Sequence, residues 1–532
     1  ASFENWKLNY RYNSKNQLTY VDEYELDGTI KTTQFVYNSD GTLLIDVIDP
    51  NQRKTTFTYE NSFLTKVQEP SGEGVNQDPA TRPGTTYSYD IGQYLSTVTD
   101  PNGNTTTYRS NGDYVITKET DPKNLSTEYK VDANYNPIEV IDPAGHSTFM
   151  AYDEKGNLQK TVDPEGNVET FTYDSLSNIL TSTDTRGNVT TNHYDAKGLL
   201  VSTTDAKEKV TSYTYDEFGN LTSTLYPNGA TETYGYDQNG NYIKTVKMDG
   251  NTVTTTMDQM GNILDYTDSK EFTTHFEYNH RNQLTKVKDQ ISETNVQYDD
   301  AGNLIEISHP NNGVERFEYN GKNLLTKATD TLNHSAIYNY DLNGNLLSQK
   351  LPTGMVLSHK YDELDQLSET FINGKKLWGY TYDQNGNLKS VTDKNGTVKT
   401  YLYLTNDLVQ SITKGVTTLQ YGYSGTDYVN ALRFVSGTQS VDYQFKPNAL
   451  NQLESINRNG AQIASFHYNS LGVVDSITRS NNVSTQMKFD QTNRLEEYST
   501  IDNNGAPIDH FTYQYDQNKN ISSILSDNSQ VN

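Results

Sequence analysis

The feature that most constrains this chain is a period. Tyr152, Tyr173, Tyr194, Tyr215 and Tyr236 are each followed by Asp, and each lies 21 residues from the next. Met257-Asp258 and Tyr278-Asn279 keep the phase. After one step of 20 to Tyr298 it resumes through Tyr319, Tyr340, Tyr361, Tyr382 and Tyr403. Eleven Tyr-Asp and 11 Gly-Asn dipeptides share this spacing scheme, which chance does not produce. A fixed period of this size marks a repeat architecture, in which each unit packs only against its neighbours.

One unit, residues 152–172, reads YDEKGNLQKTVDPEGNVETFT and holds two turn signals. Asp153, Gly156 and Asn157 form the first; Asp163, Pro164 and Gly166 belong to the second. An Asp carboxylate accepts from amides two residues on, Pro presets φ at the second turn position, and Gly or Asn tolerates positive φ. Between the turns, 158–162 and 168–173 alternate β-branched or aromatic residues with polar ones, the pattern of short strands. One unit is therefore two antiparallel strands and two turns, and short connections pair each strand with the next.

At 21 residues per unit the chain holds roughly 25 units and on the order of 50 strands, a ribbon about 240 Å long and about 20 Å wide. A sheet of that length twists and cannot stay flat. The expected fold is all-β: a continuous antiparallel hairpin ribbon spiralling into a hollow barrel-like or cocoon-like shell. The constant tyrosines are expected to line one surface as a ladder of stacked rings.

The whole chain, 1–532, reads as a single repeat array, most regular over 142–403. Residues 70–84 read as a Pro/Gly-rich loop insertion, and the phase degrades over 415–445 and 498–507. Both ends of the sequence fall inside repeat-like sequence, so a piece of something longer is expected.

Composition narrows function. Hydrophobic residues make up 33% of the chain and its net charge is −26, values that suggest disorder, yet 41 residues are Tyr. So many amphipathic rings suit half-buried sheets. The acidic balance disfavours binding to nucleic acid or anionic membrane. Cysteine is absent, which removes disulfides and thiolate metal sites. No 18-residue apolar run occurs, so membrane insertion by a helix is not expected.

No catalytic, cofactor or metal residues are assigned. The Asp-rich turn at 383–387 is the nearest approach to a calcium loop, but turn chemistry alone accounts for its Asp, Asn and Gly. The nine histidines are scattered and read mostly as solvent-facing. His275 and His280, the one close pair, are not spaced to share an ion. With 68 acidic residues, no carboxylate pair is informative for glycoside hydrolysis. Tyr rows with Trp6 and Trp378 leave cell-wall or surface glycans, or a receptor, as the alternative partner.

Tyr-Asp-x-x-Gly-Asn-Leu followed by Asp-Pro-x-Gly-Asn and an aromatic-rich strand resembles the YD-repeat, or RHS-repeat, family over nearly the whole chain. The resemblance implies a non-catalytic β-shell, like those that enclose the toxic C-terminal polypeptide of secreted bacterial toxins or form the barrel of teneurin-type surface proteins. It looks most like the repeat region of a Gram-positive wall-associated polymorphic toxin used in contact-dependent competition, located outside the cell or at the wall. The Pro-x-Gly-Leu-type self-cleavage run of encapsulating members is not found here, so self-cleavage is not expected.

Overall fold

The computed structural model describes residues 7–24, 28–70, 82–425, 428–516 and 520–526, and the backbone of 529–531. It contains 49 strands of one antiparallel sheet and, among the described residues, a single short 3-10 turn at Ile91–Gln93 as its only helical element. The unit at 152–173 folds as read, with strands Leu158–Val162 and Val168–Tyr173.

The three-residue turns follow one plan, whereas hairpins such as Ile372–Lys375 close through two residues. The Asp153 N–H donates to the Asn157 carbonyl at 2.9 Å, and the Gly156 N–H to the Asp153 carbonyl at 3.0 Å. Gly156 takes φ +86°. Asp153 Oδ1 accepts the N–H groups of Lys155 and Asn157, and Oδ2 accepts the Asn157 amide at 2.9 Å. Three-residue hairpin loops use this arrangement, a tight turn followed by a left-handed residue. The second turn repeats it, with Asn167 held by both oxygens of Asp163 at 2.7 Å.

Gly166 sits at φ +83° in open space, with nothing within 4 Å of an added Cβ. Gly166→Ala is therefore expected to cost only the left-handed strain, roughly 1–2 kcal/mol. Native-state hydrogen exchange confined to the 162–168 hairpin reads that loss locally; an unchanged hairpin would contradict it.

A bulge precedes the Tyr-Asp turns of the regular repeats, though not that of Tyr89-Asp90. Ala151 pairs with Lys160 but Tyr152 pairs with Leu158, leaving Gln159 as the extra residue. The same shift occurs at Tyr173, Tyr194, Tyr215 and Tyr236. Bulges add local twist, so the repeat carries a twist-generating step every 21 residues.

The irregular stretches remain strands. Thr417–Ser424, Tyr428–Ser436 and Gln439–Pro447 are longer and pair antiparallel, the first two with a register shift at Tyr423, and Leu495–Ile501 pairs with Pro507–Tyr515. Most of the 70–84 insertion lies outside the described residues. Its base is closed by the Glu69 N–H on the Pro83 carbonyl at 3.0 Å, and Arg82 donates to the Lys54 and Gln68 carbonyls at 2.9 Å each.

No hydrophobic side chain is fully buried among the described residues. A compact globule of 60.0 kDa would expose about 19,000 Å², whereas this chain exposes 30,552 Å². The sheet is a single wetted layer held by ladder, turn and side-chain hydrogen bonds.

Chain contacts gather into two units. One comprises Ala1–Lys130, Ile141–Ala144 and His275–Thr397; the other comprises Val131–Val140, Gly145–Thr274 and Val398–Asn532. Each is therefore built from stretches distant in sequence.

Candidate functional site: the edges of the ribbon

Alternate turns fall on opposite edges of a hairpin ribbon, so Tyr-Asp-type turns line one edge and Asp-Pro-type turns the other. In the first unit the Asp-Pro-type edge of the earlier stretch meets the Tyr-Asp-type edge of the later one. Lys123 Nζ reaches Asp362 Oδ2 at 2.6 Å and Gln366 Oε1 at 3.3 Å. Asn102 donates its side-chain amide to Asp341 at 3.0 Å, and Asn385 donates to Asp142 at 2.6 Å. Arg53 donates to Asn323, and Lys31 pairs with Asp300 at 3.0 Å.

The second unit closes in the same way. Asn406 donates to Asp163 at 2.8 Å, Thr405 to Glu165, Arg186 to the Asn448 carbonyl at 2.7 Å, and Asn228 to the Gln491 carbonyl at 3.0 Å. Partner turns such as those of Asp142 and Asn385, or Asp163 and Asn406, are separated by 23 strands. An odd number of reversals always joins opposite edges, which is why unlike turns meet.

The tyrosines follow a different rule from the expected ladder. Tyr173 donates its hydroxyl to the Leu158 carbonyl at 2.6 Å, beside the bulge of the preceding unit. Tyr194 binds the Ile179 carbonyl, and Tyr215, Tyr236, Tyr298, Tyr340, Tyr361 and Tyr382 bind the corresponding Leu carbonyls at 2.8–3.1 Å. Tyr152 departs from the rule, with Pro137 at the equivalent place, and its hydroxyl points to Met150 Sδ. Tyr152, Tyr173, Tyr194 and Tyr215 form no ring pair among the described residues; the rings that do meet include Tyr236 with Tyr242 across one hairpin. The ladder is thus a row of hydroxyl staples, each ring too far from the next to stack. Burial, followed by the Asp153 carboxylate of the preceding turn, raises the Tyr173 pKa, and burial followed by Asp216 raises that of Tyr236.

His280 is an exception among the histidines. Its side chain is 6% exposed, with Nε2 at 2.7 Å from Glu23, which also holds Arg281. His275 lies beside Glu277 instead, so the pair does not converge. Among the described residues no group of three His, Asp or Glu side chains is placed to hold a metal ion. In the 383–387 turn, Asp383 is occupied by the Asn385 and Asn387 amides. A hollow of about 460 Å³ over Asn102, Asp341, Lys360, Tyr361 and Asp362 is lined by these seam groups. Trp6 lies outside the described residues; Trp378 stands alone opposite Thr370, 37% exposed. No helix is long and apolar enough to cross a membrane among the described residues.

Residues 152–189 and 194–231 match the RHS repeat family, and residues 262–353 match the teneurin YD-shell family. No curated protein matches the chain. The crystal structure of TcdB2-TccC3 is similar over 98% of this chain, with a TM-score of 0.74 and 12% identity, and the chain covers 38% of that one. The Photorhabdus luminescens Tc holotoxin pore gives 0.67, 12% identity, and 98% and 35% coverage. TcdB2-TccC3 without its hypervariable C-terminal region gives 0.64, 11% identity, and 98% and 40% coverage. The chain thus spans about two-fifths or less of these structures, and at such identity the likeness is one of fold. The two-turn unit, its recurrent bulge and this shared fold make the chain an all-β hairpin ribbon, whose stretches 152–189, 194–231 and 262–353 are similar to the RHS repeat and teneurin YD-shell families.

Proposed function

We propose that this chain is wall material: a non-catalytic shell segment of a secreted bacterial toxin that encloses a toxic C-terminal polypeptide of the same parent protein until delivery. The observation that carries the reading is the seam. In both units a ribbon stretch meets another that is 23 or 25 strands later, edge to edge through turn tips, while the sheet buries no apolar core among the described residues. A twisted ribbon that returns beside itself at regular intervals suits closing off a space, and a single wetted layer suits little else. The polar, acidic faces suit a cargo held without collapse onto the wall. The parent acts outside the cell, in competition between bacteria.

Small-angle scattering of the chain tests enclosure. A solid 532-residue domain has a radius of gyration of about 24 Å. A hollow wall is expected to exceed that clearly, with its most frequent interatomic distances displaced toward the long end. A value at the solid-domain figure, with a bell-shaped distance distribution, would overturn the reading.

A further inference from the structure

We propose that an Asn at the third place of a Tyr-Asp-type turn is the recognition element by which one ribbon edge selects a turn on an earlier stretch, its amide entering a socket made of an Asp carboxylate and a backbone N–H. The carboxylate contact recurs in both units, although in the second the Asn406 Oδ1 is buried without a partner. Asn343, Asn385 and Asn406 each stand two residues after the first residue of their turn. Their Nδ2 atoms donate to Oδ2 of Asp100, Asp142 and Asp163 at 2.7, 2.6 and 2.8 Å. In the first unit the other half of the amide is used too: Oδ1 of Asn343 accepts the Asn102 N–H at 3.2 Å, and Oδ1 of Asn385 accepts the Ala144 N–H at 3.0 Å.

The socket is made available by a change of partner. In turns of the same type that hold no such Asn, the corresponding N–H is kept by the turn's own Asp. Leu332 donates to Asp330, Asn395 to Asp393 and Asn504 to Asp502, each at 2.8 Å. Docking exchanges that bond for one to the incoming amide, so no donor is stranded. Only Asn and Gln offer a donor and an acceptor on one rigid amide, and Asn is the shorter, matching a turn-to-turn approach.

Residue type at the third place changes what a turn tip can bond to. Lys155 and Lys197 occupy it on the edge that the second unit leaves undocked, and they run along their own edge to the Ser175 and Glu217 carbonyls. Asn239 occupies the same place on that edge. The side chain of Asn239 is exposed, and only its N–H is engaged, by Asp237. Asn reaches across where a socket faces it, and Asn343 adds a bond to Asp365 of the next turn; Lys bridges neighbouring turns, as Lys322 does to the Leu342 carbonyl, and crosses the seam at Lys322 only by pairing with the Glu69 carboxylate at 2.6 Å. The inference concerns register and stands whether or not the wall encloses cargo.

Amide exchange at Ala144 in the full chain tests it. N385D puts a carboxylate against Asp142 and is expected to speed exchange at Ala144 by about tenfold or more, as local opening of the seam. D142N combined with N385D reverses the donor and acceptor and is expected to restore exchange to within about twofold of the parent. N239D, at the same turn position with no socket, is expected to change nothing at its own turn tip. Exchange in N385D no faster than in the parent, or a double variant as fast as N385D alone, would overturn the proposal; the second result separates recognition from mere loss of packing.

Discussion

Acidified from pH 5 to pH 2, the chain is expected to lose its ribbon structure cooperatively, the steepest loss falling below the ordinary aspartate range. Fifteen described aspartates have pKa values held below the usual 3.8. In Asp153, Asp174 and Asp237 the lowering comes first from the side-chain amide of the Asn four residues on, then from that residue's N–H. In Asp184 and Asp341 partial burial pushes the other way but is outweighed by the same amides, and in Asp100 burial is outweighed first by the Asn343 amide from across the seam and then by Asn104. A carboxyl whose folded pKa is depressed stabilises the fold above its unfolded value and ceases to do so as pH falls through the folded one. The turns whose Asp is held in this way therefore lose their anchor in the same window, below about pH 4. Repulsion adds to this, because protonation leaves 42 Lys and Arg and nine His uncompensated. Far-ultraviolet circular dichroism against pH, repeated in 0.5 M salt, checks the prediction. Salt should soften the charge contribution but leave the turn contribution, so a flat signal down to pH 2 would show that turn carboxylates do not hold the ribbon.

Much of this architecture is written locally, which is why it could be read. Asp153, Gly156 and Asn157 specify their own turn whatever surrounds them, and the 21-residue period follows from two such turns. Turns that lack glycine were less legible: Tyr114, Tyr135, Glu208 and Asp365 take positive φ between 57° and 66°, where the Asp- or Asn-anchored hydrogen bonds of the loop impose the conformation against side-chain preference. The seam was not legible at all. Asn385 looks like any turn Asn, and its partner Asp142 lies 243 positions away; only the count of strands per lap, set by accumulated twist, brings them together. The role of tyrosine was half visible. Its alternation with polar residues placed it on a strand face, but a ring at constant spacing suits stacking or hydrogen bonding equally. The missed signal was the steady use of Tyr, with its hydroxyl, where Phe would serve stacking as well, paired with a Leu 15 residues earlier.

That distinction sets the second large expectation. Replacing Tyr173, Tyr215, Tyr236 and Tyr382 together by Phe keeps the rings and their partial burial but removes four hydroxyl-to-carbonyl bonds, those to Leu158, Leu200, Leu221 and Leu367. Each is worth about 1 kcal/mol. Tyr382 is distant from the others, and Tyr173 is two repeats from Tyr215, so the losses should largely add, to about 4 kcal/mol of ribbon stability. The carbonyls left behind lie at partly wetted bulges, which keeps the figure from growing further. Exchange at the four bulges reads the loss site by site, and Tyr114→Phe, at a ring 69% exposed, supplies a comparison that should be nearly silent. Alkali gives an independent readout. Burial, with the nearby Asp153, Asp195, Asp216 or Asp362 carboxylate among the further causes, raises the pKa of these four tyrosines. A raised folded pKa means that the stabilisation is complete below the ordinary tyrosine value near 10 and is lost as pH rises through the folded one. The gap between parent and Phe variant should therefore be full at pH 8 and close progressively above pH 10, since Phe has no proton to lose. Stacked rings would predict the opposite pattern, with no loss at pH 8 and no pH dependence in the difference. A variant as stable as the parent at pH 8 would return the tyrosines to a packing role and remove the staple from the repeat.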